Sequence, residues 1–287
     1  MEISHGYVDV HAIRTHFLIA GGEIDSNEVC RTVILLHGGG IDCAELSWAP
    51  LIDELARDMR VIALDWPGYG ESDHLRLAYS TEFYIGFLEA FLEKLDISRA
   101  SFVGISMGGG VALGFGLKAP KRVDSLVLVD SYGLQDRVPY GRLGYYLVHM
   151  PWINEWSWAL MRSRMMVRYT LGSLLKRPGA VTDALVDLAV REINRPNANL
   201  AWTTFQRNEV TPDGLRTCYL DQLDQICARV LIVHGTKDTL VPGNYARLAH
   251  EKIPGSKLHW MEGCGHWPQR DDPQTFNSVV RDFLTEI

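Results

Sequence analysis

Uninterrupted apolar runs that stop at glycine-bearing junctions are what most constrain this chain. Thr32-Val33-Ile34-Leu35-Leu36 ends at His37-Gly38-Gly39-Gly40, Arg60-Val61-Ile62-Ala63-Leu64-Asp65 leads into Pro67-Gly68-Tyr69-Gly70, and Ala100-Ser101-Phe102-Val103-Gly104 into Ile105-Ser106-Met107-Gly108. Hydrophobicity without polar alternation marks strands buried on both faces, which requires a sheet with helices on both sides. Between these runs, Phe83, Ile85, Phe87, Leu88, Phe91 and Leu92 give Thr81–Leu95 one apolar helical stripe. Met107–Ala119 reads as a glycine-rich helix and Val123–Val129 as another strand. The β-α-β-α-β order predicts an α/β fold with a mostly parallel central sheet, preceded by a hairpin within Tyr7–Ile19.

A second alternating block holds a strand at Val230–His234, a helix at about Asn244–Lys252, a strand at Lys257–Met261 and a helix at about Pro273–Thr285. The stretch between the blocks differs in character. Trp152, Trp156, Trp158, Met161, Met165 and Met166, then Val181, Leu185, Leu188, Ala189 and Ile193, sit on helical patterns. Two uses suit those large side chains: packing between helices, and closing a hydrophobic pocket. We expect residues 1–133 and 213–287 to form the core and 134–212 a helical cap, with Gly214–Leu223 also helix-like. A length of 287 residues suits one large domain with such an insertion.

Composition removes other classes. With 47% apolar and 22% charged residues the chain reads as an ordinary globular protein, and a net charge of −7 offers no bulk attraction to nucleic acid. The cysteines at 30, 43, 218, 227 and 264 show no zinc-finger or C-x-x-C spacing, and their odd number argues for reduced thiols. Glu2, His5, Asp9, His11, Arg14 and His16 interrupt any secretory apolar segment, and no run approaches the roughly 20 residues of a membrane span. A cytoplasmic protein with no membrane partner is expected. The pattern also permits a homodimer through the cap or a sheet edge.

Gly104-Ile105-Ser106-Met107-Gly108 has the G-x-S-x-G spacing of a nucleophile elbow, placed between a buried strand and a helix. Asp238, in Gly235-Thr236-Lys237-Asp238, follows the next block's first strand, and His266, in Gly263-Cys264-Gly265-His266-Trp267, follows its last. A carboxylate bonded to histidine Nδ1 fixes the tautomer whose Nε2 takes the serine proton. His37-Gly38-Gly39-Gly40 admits a carbonyl close to backbone, and the Gly39 and Met107 amides are the best pair for an oxyanion hole. The Lys-Ser/Thr ending of a phosphate-binding loop is missing, as is any strong metal-ligand spacing. Neither a cofactor nor a metal is therefore expected.

With these motifs in order, the chain resembles the α/β-hydrolase superfamily, Ser106, Asp238 and His266 matching its nucleophile, acid and histidine. The likeness spans nearly the whole chain, including Asp65-Trp66-Pro67-Gly68-Tyr69-Gly70-Glu71-Ser72. Serine at 106 argues against the branches with an aspartate nucleophile. Locally, the His37–Gly40 loop, Ser106-Met107-Gly108-Gly109 and Cys264-Gly265-His266-Trp267 resemble the meta-cleavage-product hydrolases, which cut carbon–carbon bonds in vinylogous diketo acids. That resemblance implies that Trp267 lines the pocket and that a cap arginine, Arg191 or Arg195, assists an acidic substrate, while the small residues Gly38 and Gly40 are expected beside the bound carbonyl. Ile105 stands where that subgroup usually carries asparagine.

A carboxylic-ester hydrolase acting on a small carbonyl substrate ranks first on the sequence, since it needs no arginine for a second carboxylate. Carbon–carbon hydrolysis ranks second. Lactone and thioester cleavage use the same machinery, and a noncatalytic ligand-binding protein is the alternative of a different class.

Overall fold

The computed structural model describes residues 2–22, 31–137 and 141–286. Its strands are β1 (Ser4–Val10), β2 (Ile13–Ala20), β3 (Thr32–Leu36), β4 (Arg60–Leu64), β5 (Ala100–Ile105), β6 (Val123–Val129), β7 (Val210–Thr211), β8 (Gly214–Leu215), β9 (Arg229–Gly235) and β10 (Lys257–Met261). Eight of them form one sheet in the order β1-β2-β4-β3-β5-β6-β9-β10. The first two pairings are antiparallel and the rest parallel, as the unbroken apolar runs predict.

The helices are α1 (Ala44–Leu55), α2 (Thr81–Lys94), α3 (Met107–Lys118), α4 (Gly141–His149), α5 (Pro151–Met161), α6 (Arg164–Leu174), α7 (Asp183–Ile193), α8 (Ala198–Glu209), α9 (Gly243–Lys252), α10 (Pro268–Asp271) and α11 (Pro273–Thr285). Side chains alternate across each strand, so Ile34 and Leu36 join the core under α2, α3 and α9, while Val33 and Leu35 join the core under α1 and α11. Both faces of the parallel strands are thereby dry. Helix α1 carries little sequence signal: Pro50 lies inside it, and its N-cap is Cys43, whose sulfur accepts from Leu46 N–H at 3.4 Å.

The five helices α4–α8 are inserted between the paired strands β6 and β9 as a cap. Its packing departs from one expectation. Trp158 is buried and its indole N–H reaches the Ile193 carbonyl at 3.3 Å, but Trp152, Trp156 and Met165 are 61%, 76% and 76% exposed. Inter-helix packing therefore fails for those three, because they occupy the opposite side of their helices. Leu143, Tyr146, Leu147 and Met150 line one stripe of α4 and its end; Trp152, Trp156 and Leu160 line one of α5; Met165 and Tyr169 line one of α6.

The helix expected at Gly214–Leu223 is replaced by a two-residue strand and a 3₁₀ turn at Leu223–Gln225. Gly214 closes a tight hairpin with Thr211, and Tyr219 N–H donates to the Gly133 carbonyl, so this segment's backbone is committed outside a helical ladder. Cys30 lies outside the described residues. Among those described, no helix is long and apolar enough to cross a membrane.

Candidate active site

Parallel strands bring their carboxyl ends to one edge of the sheet, and β3, β5, β6, β9 and β10 each deliver chemistry there. Ser106 follows β5 and precedes α3 in a left-handed conformation, φ 49° and ψ −118°. A strained turn of this kind lifts a side chain off the sheet edge. Small neighbours are obligatory: a Cβ on Gly104 would overlap the Gly108 backbone, and one on Gly108 the Leu36 carbonyl. Ser106 N–H donates to the Val129 carbonyl and its own carbonyl accepts from Gly110 and Tyr132, so the turn is pinned to β6.

Asp238 and His266 meet as the sequence order predicts. The Asp238 Oδ2 to His266 Nδ1 distance is 2.8 Å, and Asp238 Oδ1 accepts from Leu240 N–H at 2.7 Å. Burial pushes the Asp238 carboxyl up, but the His266 hydrogen bond and charge and the Leu240 amide outweigh it and hold it below the usual carboxylate range. An ionised Asp238 can accept a hydrogen bond from His266 Nδ1–H, the tautomer that carries a lone pair on Nε2. Among the described residues the Ser106 hydroxyl has no hydrogen-bond partner, so the structure joins the acid to the histidine and leaves the serine unpaired.

Asp130, at the end of β6, is a site residue without sequence signature. It is fully buried, has φ 40°, and its Oδ1 accepts from Gly235 N–H at 3.0 Å. Burial, then the charge of Asp238, pushes its pKa well up, and its Oδ2 has no hydrogen-bond partner among the described residues. His234 stands beside both, 3.4 Å from Asp130 and 3.9 Å from Asp238, with burial lowering its pKa.

The glycine loop after β3 is held from beneath. Gly38 N–H donates to Asp42 Oδ2 at 2.8 Å, and Ser47 Oγ donates to the same carboxyl. His37 is neutral, burial lowering its pKa to about 4. Its Nε2 accepts from Trp66 N–H at 3.1 Å, which leaves Nδ1–H to donate to the Gly38 carbonyl at 2.7 Å. A Cβ on Gly38 would lie 3.5 Å from Ser106 Cβ, so the loop passes beside the serine. The Gly39 and Met107 amides have no acceptor among the described residues, whereas a Cβ on Gly39 would overlap the ring of Trp202 from α8. Trp202 thus roofs the loop, a contact that periodicity could not assign to a partner.

The substrate-contact candidates fare differently. Trp267 is buried in the core beneath α1 and α11, and Gly40 faces open space beyond its α-carbon. Arg191 bonds Glu45 at 2.6 Å and Glu192 at 2.9 Å, while Arg195 bonds Glu192 at 2.6 Å and lies 3.7 Å from Glu71. Both guanidiniums are thus engaged with carboxylates. A cavity of about 860 Å³ has Arg191 and Arg270 among its lining residues, but neither Ser106 nor His266. The buried Arg270 Nε has no hydrogen-bond partner among the described residues. Burial holds both thiols near the site protonated, Cys43 well above its ordinary range and Cys264 at about 11.

The family described as alpha/beta hydrolase fold matches residues 31–273. An uncharacterised protein of Mycobacterium tuberculosis is 32% identical over 96% of this chain and 79% of its own length. The 2-hydroxy-6-oxo-2,4-heptadienoate hydrolase of Pseudomonas putida is 30% identical over 96% of this chain and 98% of its own. A meta-cleavage product hydrolase of Pseudomonas fluorescens superposes with a TM-score of 0.81 at 25% identity, covering 98% of this chain and 97% of that one.

Proposed function

The chain belongs to the α/β-hydrolase fold family and is a hydrolytic enzyme of that superfamily, and from that premise we propose that it hydrolyses a carbon–carbon bond in a vinylogous diketo acid. The observation that carries this reading is its likeness over nearly its full length to the Pseudomonas putida heptadienoate hydrolase, which outweighs the ester-first ranking drawn from the sequence. Ester hydrolysis was favoured because its chemistry demands less of the residues. Lower demand is not evidence of use.

In the proposed reaction His266 Nε2 takes the Ser106 hydroxyl proton as Oγ adds to the ketone carbon. The Gly39 and Met107 amides stabilise the resulting oxyanion. Collapse breaks the bond to the vinylogous fragment, whose conjugated carbonyl spreads the departing electron pair, and the proton on His266 goes to that carbon. Water, deprotonated by His266, then adds to the acyl-Ser106 ester; collapse releases a carboxylic acid, and the proton on His266 returns to Ser106 Oγ. One water is consumed across the broken bond, and Asp238 keeps Nδ1 protonated throughout.

Carboxylic-ester hydrolysis is the second reading, favoured by the wholly buried, apolar Ile105 before the nucleophile and by the carboxylate partners of Arg191 and Arg195. One panel separates the two: aryl and short-chain esters, a lactone and a vinylogous diketo acid, with wild type and Ser106→Ala. The diketo acid is expected to turn over fastest and to give its two acid products, with turnover falling by about 10³-fold or more in the variant at unchanged thermal stability. Preferential ester turnover would reverse the ranking. Equal activity of the variant would remove Ser106 from the chemistry.

A further inference from the structure

Away from the strand ends, the N-terminal hairpin gathers donor atoms that hydrolysis does not use. His5 on β1 and His16 on β2 share a face of the sheet: Tyr7 lies directly across from His16, and His5 is one diagonal step away. His5 Nδ1 and His16 Nε2 are 2.8 Å apart. Glu71 joins them from the turn after β4, its Oε2 accepting from the Tyr7 hydroxyl at 2.6 Å. One donor atom from each of His5, His16 and Glu71 falls within 4.8 Å of the others.

The support behind His16 distinguishes this cluster from a chance meeting of polar side chains. His16 is buried, and its Nδ1 lies 2.7 Å from Asp65 Oδ2. Asp65 is itself fixed by the amides of Ala44 at 2.7 Å and Glu71 at 2.9 Å. A carboxylate on one imidazole nitrogen sets the tautomer, orients the ring and makes the other nitrogen a better ligand, the arrangement that supports metal-bound histidines. With its proton held at Nδ1, His16 points the Nε2 lone pair at His5 and Glu71.

We propose that His5 Nδ1, His16 Nε2 and the Glu71 carboxylate bind one divalent ion of the zinc class, with solvent at the open position. Two imidazoles and a carboxylate are a borderline-soft donor set suited to zinc, not to magnesium or calcium. Zinc–nitrogen bonds of about 2.0–2.1 Å at a tetrahedral angle put two nitrogens about 3.3 Å apart, so the pair must open by roughly 0.5 Å. His5 can supply that movement, being an exposed side chain on the edge strand, while His16 stays anchored. In the metal-free hairpin the proton between the rings sits on His5 Nδ1 and is donated to His16. The ion takes its place: the proton of the neutral His5 ring moves from Nδ1 to Nε2, which frees the Nδ1 lone pair for the metal.

The test uses the untagged full-length chain, stripped with a chelator and titrated with Zn²⁺ against a chromogenic chelator. Wild type, His5→Ala and Glu71→Gln are compared. One equivalent bound at least tenfold more tightly by wild type than by either variant is expected. Circular dichroism checks that the variants are folded, and both keep the other histidines and Cys227 as a common background. Binding by wild type no tighter than by His5→Ala, or no stoichiometric binding, overturns the proposal. If His5→Ala misfolds, Glu71→Gln decides by the same criterion.

Discussion

Packed against Gly38, Cys43 and Ser47, the Asp42 carboxyl is pushed up to about 7, chiefly by burial, with its hydrogen bonds and the charge of Arg270 pulling the other way. A folded pKa above the unfolded value means that the folded state binds the proton more tightly. The associated stability is present in full below the ordinary carboxylate range and is lost as pH rises through about 7. The span amounts to a few kcal/mol at the order of magnitude. Asp42→Asn is therefore expected to flatten the decline in melting temperature between about pH 4 and pH 8; a variant curve parallel to wild type would show that Asp42 does not titrate there. This residue was silent in the sequence, as was Asp130. Ser106, Asp238 and His266 announce themselves by glycine spacing and by position after strands. A buried loop carboxyl has neither period nor motif, and its role depends on what the tertiary fold packs against it.

Helix α5 shows why element type was more legible than element orientation. Its residues read as helical, yet Trp156 and Trp158, two positions apart, point to opposite sides, 76% and 5% exposed. Trp158→Ala is expected to cost about 3–5 kcal/mol in urea unfolding, because it empties a packed site and removes the donor to Ile193. Trp156→Ser should change stability by no more than about 0.5 kcal/mol. Similar losses from both would mean that the outward stripe is covered in solution. The strands were read closely because a two-sided apolar run has one meaning in a parallel sheet. Helix α1 is illegible in the sequence because its internal proline and cysteine cap mimic a loop.

At the scale of the molecule, cap and core are joined by hydrogen bonds and ion pairs at several places, some buried and some exposed. Glu209, at the end of α8, accepts from Thr81 N–H at 2.8 Å and from the Tyr132 hydroxyl at 2.9 Å, tying the cap's return to the start of α2 and to the segment after β6. Glu209→Ala strands both donors, at a cost of about 1–3 kcal/mol each, and is expected to lower the urea midpoint. An unchanged midpoint would show that water replaces the carboxylate without penalty. Arg191, on α7, and Arg195, just after it, add further ties, reaching Glu45 and Glu71 of the core. Their sequence positions revealed charge on a helix but not which carboxylates would meet it.

Because the cap interrupts the chain between β6 and β9, the proposed nucleophile is synthesised before the cap, and the acid and histidine only after it. A ribosome-bound chain can close the Ser106 elbow against β6 while it has no Asp238 to orient a base and no His266 to orient. The pairing of β6 with β9 must then reach across the entire cap, a non-local closure that slows folding. The proposed triad is thus complete only once the segment beyond the cap has been made, and until then its serine stands without the proposed acid and histidine.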